Sequence, residues 1–280
     1  MMASCAPRRA GGRARRLHCP LICRRRASAR RVITYFFASE TLGTGALCQT
    51  VRQALIFELM RRIYKIAPSI LSADFARLGD EIHRVEQAGA DLIHFDVMDG
   101  HFVPNLSIGI PVLAAVRAIT KLPLDAHLMI EEPERYLEAF VKAGADSISV
   151  HAEVCNDLPA IARRMHDLGI RASVAINPET AHERVLAAAE HLDMILVMSV
   201  HPGFGGQQFI AESVEKLRAI RSELDRRRLN IDVEIDGGIK VDNIAAVTAA
   251  GANVFVSGSG IFGHADYGEV IARMRQAIAA

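Results

Sequence analysis

The sequence predicts a TIM-type (β/α)8 barrel, on three observations. Eight short runs rich in β-branched residues recur between residues 63 and 257. Segments with a 3.6-residue apolar period lie between them, as alternating strands and amphipathic helices require. Four helix-to-strand junctions carry glycine at the same place, where a helix commonly ends. Eight such units in about 220 residues suit a barrel, typically ~250 residues long. A doubly wound open sheet is the rival, but it usually has fewer strands and leaves edges to cover.

The first run is 63–67 (IYKIA), followed by a helical pattern over 74–88. In the second, 92–98 (LIHFDVM), Ile93, Phe95 and Val97 share one face. His94, Asp96 and Met98 share the other, and a buried charge is costly unless paired or bound to a metal. The third run, 124–130 (LDAHLMI), places His127 and Met129 on one face and leads to a helix over 133–143. Runs at 147–151 (SISVH) and 171–176 (RASVAI) flank a helix over 156–168. The sixth, 194–200 (MILVMSV), contains Met198 and precedes a helix over 212–228. The seventh, 231–236 (IDVEID), ends on Asp236 before two glycines, and the eighth is 253–257 (NVFVS). The repeated junctions are EQAGADLI at Gly89, VKAGADSI at Gly144, HDLGIRA at Gly169 and TAAGANVF at Gly251.

Barrel enzymes build their sites at the C-terminal ends of the strands. Two histidines and two carboxylates, His94, Asp96, His127 and Asp236, converge there from three strands. Imidazole with carboxylate suits one divalent zinc, iron, manganese or cobalt ion. A single strand histidine is usually a satisfied core residue, and an aspartate before Gly-Gly is usually a turn former. Four such residues at the same end of a barrel are not explained that way. Met98, Met129 and Met198 read as core filler on their own. Three glycine-rich stretches crowd the rim: HPGFGGQ (201–207), Gly237–Gly238 and GSG (258–260). Loops of this kind bind phosphate through backbone N–H groups, and no lysine is required.

Composition narrows the function. The chain has 280 residues, of which 50% are hydrophobic, and the formal net charge of +1 hides an asymmetry. Ten arginines and no acid precede Glu40, so the remainder carries 33 − 10 = 23 basic against 32 acidic residues, a net of −9. An acidic body argues against nucleic-acid binding. No apolar run reaches the ~18 residues of a membrane span. Only Cys155 lies in the patterned region, which excludes a disulfide framework and suits a reducing, cytoplasmic setting. Cys19 and Cys23 find no matching Cys/His pair at zinc-site spacing. Residues 1–59 read as an arginine-rich extension, since globular patterning begins after Met60. A basic arm, an organelle transit peptide or sequence upstream of a start at Met60 are its possible readings, and no catalytic residue is expected there.

Six stretches then carry a resemblance. KIAPSILSADFARL (65–78), HFDVMDGHFVPN (94–105), DAHLMI (125–130), VHPGFGGQ (200–207), EIDGGI (234–239) and GSGIFG (258–263) resemble the ribulose-phosphate 3-epimerase family. The resemblance implies a metal-dependent barrel epimerase that interconverts D-ribulose 5-phosphate and D-xylulose 5-phosphate in the pentose phosphate pathway. It implies that His94, Asp96, His127 and Asp236 hold one divalent ion per subunit, with Asp96 and Asp236 also the acid/base pair. Ser69, His127 and Asp236 would contact the sugar. Gly203, Phe204, Gly205, Gly206, Gly237, Gly238, Gly258 and Ser259 would surround the phosphate. Met98, Met129 and Met198 would cap the reacting carbons with polarizable sulfur. A homo-oligomer is expected. The nearest alternative is an epimerase of a ketohexose 6-phosphate such as D-allulose 6-phosphate. An orotidine-phosphate decarboxylase relative would need a catalytic lysine, which no strand end offers. An arginine-armed nucleic-acid binder would show salt-sensitive binding lost with residues 1–59.

Overall fold

In the computed structural model, residues 64–280 are described. The expectations for residues 1–59 lie outside them. The strands are β1 (Lys65–Pro68), β2 (Ile93–Met98), β3 (Leu124–Met129), β4 (Ser147–His151), β5 (Arg171–Ile176), β6 (Met194–Met198), β7 (Asp232–Asp236) and β8 (Val254–Ser257). All pair in parallel, β2 through β8 in sequence and β8 with β1. A single bridge between Ser69 and His94 closes β1 onto β2. The result is a (β/α)8 barrel, as the alternating pattern requires.

The helices are α1 (Leu78–Gln87), α2 (Ile110–Ile119), α3 (Leu137–Ala143), α4 (Leu158–Asp167), α5 (Glu183–Leu186), α6 (Ser213–Arg227), α7 (Val241–Ala249), a four-residue α8 (Ser259–Phe262) and α9 (Tyr267–Ala279). Asp157 begins α4 by accepting the N–H of Ala160, and Asp266 begins α9 by accepting that of Glu269. Gly89, Gly144, Gly169 and Gly251 all have positive φ, so the recurring junction glycine is the left-handed exit of each helix. Two helices start later than periodicity predicts. The 74–88 segment opens with a 3-10 turn over Phe75–Arg77 before α1. The 133–143 segment likewise has a 3-10 turn over Pro133–Arg135, because Pro133 follows Glu132 in a left-handed conformation.

Strand alternation sorts the core into two shells. Outward residues such as Ile93, Phe95, Leu124, Val174 and Ile235 pack against the helices in one large cluster. Burying each such side chain contributes about 1.5–3 kcal/mol. Inward residues are less apolar, and register sets them in layers. His94 pairs with Asp125, Asp96 with His127, and Met98 with Met129. Across the barrel, Leu196 pairs with Glu234 and Met198 with Asp236. The interior is therefore apolar on the β6, β8 and β1 side and polar between β2 and β5.

Candidate active site

The mouth of the barrel holds a cleft of about 540 Å³, its open entrance included. Asp96 and Asp236 reach its lining, while His94 and His127 form a fully buried layer beneath them. The atoms of this cluster converge closely. His94 Nε2 lies 3.4 Å from Asp96 Oδ1 and 3.8 Å from Asp236 Oδ2. His127 Nδ1 lies 3.4 Å and 3.7 Å from the same two oxygens. These gaps are long for hydrogen bonds, and both imidazole nitrogens are buried without a hydrogen-bond partner. Ligand atoms around a tetrahedral ion with 2.0–2.2 Å bonds would stand about 3.3–3.6 Å apart. The four residues could therefore hold a metal ion, and the orphaned nitrogens fit one.

The electrostatics point the same way. Burial works against charge on His94, yet Asp96, Asp125 and Glu234 outweigh it and raise its pKa well above the ordinary value. The cluster thus draws in positive charge. Burial also opposes ionisation of Asp96, but His94 and His127 hold its pKa well below the usual range. Asp236 goes the other way, raised to about 7 by burial and by the Asp96 charge. Burial lowers the pKa of His127.

Local sequence explains the placement. β2 and β3 run side by side in register, so alternate residues of HFDVM and DAHLM face each other inside the barrel. Ser69 enters at the barrel closure and donates its hydroxyl to Asp96 Oδ2 at 2.5 Å. Asp236 is held by Ser199, the residue after β6, which donates its backbone N–H to the Asp236 carbonyl at 2.7 Å and its hydroxyl to the Gly237 carbonyl at 2.7 Å. Met98, Met129 and Met198 are buried and line the cleft walls. Gly203, Phe204, Gly205 and Gly206 line the rim after β6, with Phe204 half exposed. Gly237, Gly238, Gly258 and Ser259 line it after β7 and β8. A Cβ on Gly237 would fall 2.6 Å from Val200, and one on Gly238 2.8 Å from the backbone of Phe209. The chain passes too close there for any larger residue. Asn105, in the loop after β2, donates to the carbonyl of Gly203 at 2.7 Å and ties the two rims together. His127 is the one expected substrate contact with no place in the lining.

Sequence reading missed a lower polar layer. Asp125 accepts from His94 Nδ1 at 2.9 Å and from the Ser147 hydroxyl at 2.5 Å, which holds the imidazole in place. Glu234 lies 3.7 Å from His94 Nδ1, and both of its oxygens are buried without partners. Burial and Asp125 raise its pKa well above the ordinary value. Also missed were His151, packed against His127 with ring centroids 5.0 Å apart, and Glu153 beyond it. Burial pushes His151 down to about 4. Burial would raise Glu153, but bonds from His151, Thr180 and the Asn177 backbone bring it down to about 2.

A barrel mouth carrying ionisable side chains over a glycine-rich rim defines a (β/α)8-barrel enzyme. Comparison with known proteins narrows that class. Residues 65–262 match the ribulose-phosphate 3 epimerase family. Ribulose-phosphate 3-epimerase of Bacillus subtilis is 48% identical over 212 residues, 75% of this chain and 98% of that one. The Synechocystis enzyme of that name is 51% identical over 213 residues, covering 75% and 92%. The Escherichia coli one is 46% identical over 218 residues, covering 77% and 96%. The chain belongs to the ribulose-phosphate 3 epimerase family and is an isomerase. Among solved structures, KGPDC from Streptococcus mutans matches with a TM-score of 0.60 at 10% identity, over 78% of this chain and 98% of that one. The 3-hexulose-6-phosphate synthase from Salmonella typhimurium gives 0.56 at 18% identity, over 77% and 98%. These two likenesses show the fold alone.

Proposed function

We propose that the chain interconverts D-ribulose 5-phosphate and D-xylulose 5-phosphate by metal-dependent, two-base proton transfer at C3. The observation that carries this reading is the placement of two cleft-lining carboxylates, Asp96 and Asp236, over two buried, unpartnered imidazole nitrogens. A divalent ion held by His94, Asp96, His127 and Asp236 would supply Lewis acidity to the oxygens beside the reacting carbon.

The protein's own groups account for the rest. A C–H next to a carbonyl is a weak acid, so its proton must pass to a positioned base. Inverting that carbon means taking the proton from one face and returning it to the other, which one carboxylate cannot do. Asp96 and Asp236 come from β2 and β7, on opposite sides of the barrel closure, and so address different faces. Without a metal their environments differ, His94 and His127 holding Asp96 ionised while burial and the Asp96 charge raise Asp236. A divalent ion held between them would favour the ionised, basic form of both. Ser69 orients Asp96 by its short hydrogen bond. The phosphate would sit against Gly203, Phe204, Gly205, Gly206, Gly237, Gly238, Gly258 and Ser259, a lining rich in glycine, which lets an anion approach the backbone closely. Met98, Met129 and Met198 would cover the sugar carbons with apolar, polarizable surface.

Turnover measured on ribulose 5-phosphate and on D-allulose 6-phosphate, before and after chelation and metal restoration, tests this reading. The expected result is preference for the pentose phosphate and loss of activity on chelation. Preference for the hexose phosphate would move the enzyme to the sister reaction, and full activity after chelation would remove the metal.

A further inference from the structure

Behind His127 a chain of polar groups runs away from the cleft. His127 Nε2 lies 2.9 Å from His151 Nε2, and His151 Nδ1 lies 3.2 Å from Glu153 Oε2. The other Glu153 oxygen accepts the Asn177 backbone N–H at 2.9 Å and the Thr180 hydroxyl. Both imidazoles are fully buried. We propose that His151 and Glu153 are positioning residues, which fix a one-way hydrogen-bond chain and keep His127 Nδ1 bare and aimed into the His/Asp cluster. The proposal rests on the reading of that cluster as a metal centre.

The direction of the chain follows from which groups can donate. A carboxylate only accepts, so the hydrogen between Glu153 and His151 belongs to His151 Nδ1. One imidazole hydrogen placed there leaves His151 Nε2 bare. Two ring nitrogens 2.9 Å apart share a single hydrogen, so His127 Nε2 must supply it. His127 then presents a lone pair at Nδ1, the atom that faces Asp96 and Asp236. A metal-bound histidine usually takes this orientation directly from a carboxylate or carbonyl. Here a second imidazole is interposed, and the carboxylate stands one residue further back. Its anchor is firm, because Lys216 Nζ on α6 binds the carbonyls of Asn177, Pro178 and Thr180 at 2.7–2.8 Å.

Glu153→Gln tests the direction itself. The Asn177 N–H can only donate, so the glutamine oxygen must take the place facing it. The amide NH₂ then faces His151 Nδ1, which has to accept. The chain reverses, and the hydrogen on His127 moves to Nδ1, pointing at the metal ligands. Zinc affinity of the full-length chain, measured by competition with a chromogenic chelator, is expected to fall about 10–100-fold. His151→Gln can accept from His127 and donate to Glu153, so it should bind zinc more tightly than either Glu153→Gln or His151→Leu. Nitrogen-15 spectra of zinc-loaded, histidine-labelled wild type need no substitution. They should show hydrogen on His127 Nε2 and His151 Nδ1. A hydrogen on His151 Nε2, or wild-type zinc affinity in folded Glu153→Gln, would overturn the proposal and leave the metal centre standing. Failure of wild type to bind zinc any better than His127→Ala would overturn the metal centre, and this chain with it.

Discussion

His94 touches carboxylates above and below, with Asp96 on the cleft side and Asp125 beneath. At this scale each group's surroundings set what it can do, and Glu153 shows how to measure that. Its pKa is about 2 in the folded chain against an ordinary 4.5. A depressed carboxyl stabilises the fold above its unfolded value, and the gain is lost as pH falls through the folded one. A shift of about 2.5 units sets an upper bound of roughly 3 kcal/mol at neutral pH, which solvent screening of the partly exposed carboxylate reduces. Urea denaturation of wild type and Glu153→Gln should therefore give a stability gap within that bound at pH 7, shrinking to about half by pH 3. A gap that stays constant with pH would mean that Glu153 acts through packing and not through its charge. Asp125 and Glu234 were legible in principle, since the alternation that turns His127 and Asp236 inward turns the residues two places earlier inward too. They were passed over because their part lies one layer below the cleft, where no strand end marks them.

Among elements, the rim loops and the helix exits use glycine for different purposes, and one substitution separates them. Gly238 has φ 66 and meets the backbone of Phe209, so an added methyl must displace the rim there. Gly169 has φ 82 but nothing within 4 Å of its missing Cβ, at the far end of the barrel. Gly238→Ala should raise KM for the phosphosugar about tenfold or more, corresponding to at least ~1.4 kcal/mol of lost binding. Gly169→Ala should cost about 1–2 kcal/mol of stability and leave KM unchanged. Equal effects on KM would show that the rim glycines do not shape the binding site. Strand positions were readable to within two residues, because inward and outward faces alternate in composition. Helix starts were not. A proline after a left-handed Glu132, and an Asp74 cap on a 3-10 turn, delay two of them in ways that apolar periodicity does not register.

At the scale of the molecule, parallel pairing and closure through Ser69–His94 bring β2, β3 and β7 to one mouth. Counted along the chain, Asp96 and Asp236 are five strands apart, yet closure through β8 and β1 brings both against the same two imidazoles. Sequence supplied the four residues, and only the closed sheet supplies their distances. The family match begins at residue 65, and the Bacillus subtilis relative is covered almost end to end by 75% of this chain. A protein beginning at Met60 is accordingly expected to keep its melting temperature and kcat/KM, and a tenfold loss of activity would assign residues 1–59 a role. In the proposed reaction two carboxylates divide one inversion between them. The most direct measurement is epimerisation together with solvent-deuterium exchange at C3, in metal-loaded Asp96→Asn and Asp236→Asn whose metal content has been verified. Loss of a general base typically costs ~10²–10⁴-fold, and both variants should lose epimerisation at the upper end of that range or beyond. One should still exchange the C3 hydrogen of ribulose 5-phosphate, and the other that of xylulose 5-phosphate. Near wild-type epimerisation by either metal-loaded variant would rule out a division of the inversion between Asp96 and Asp236.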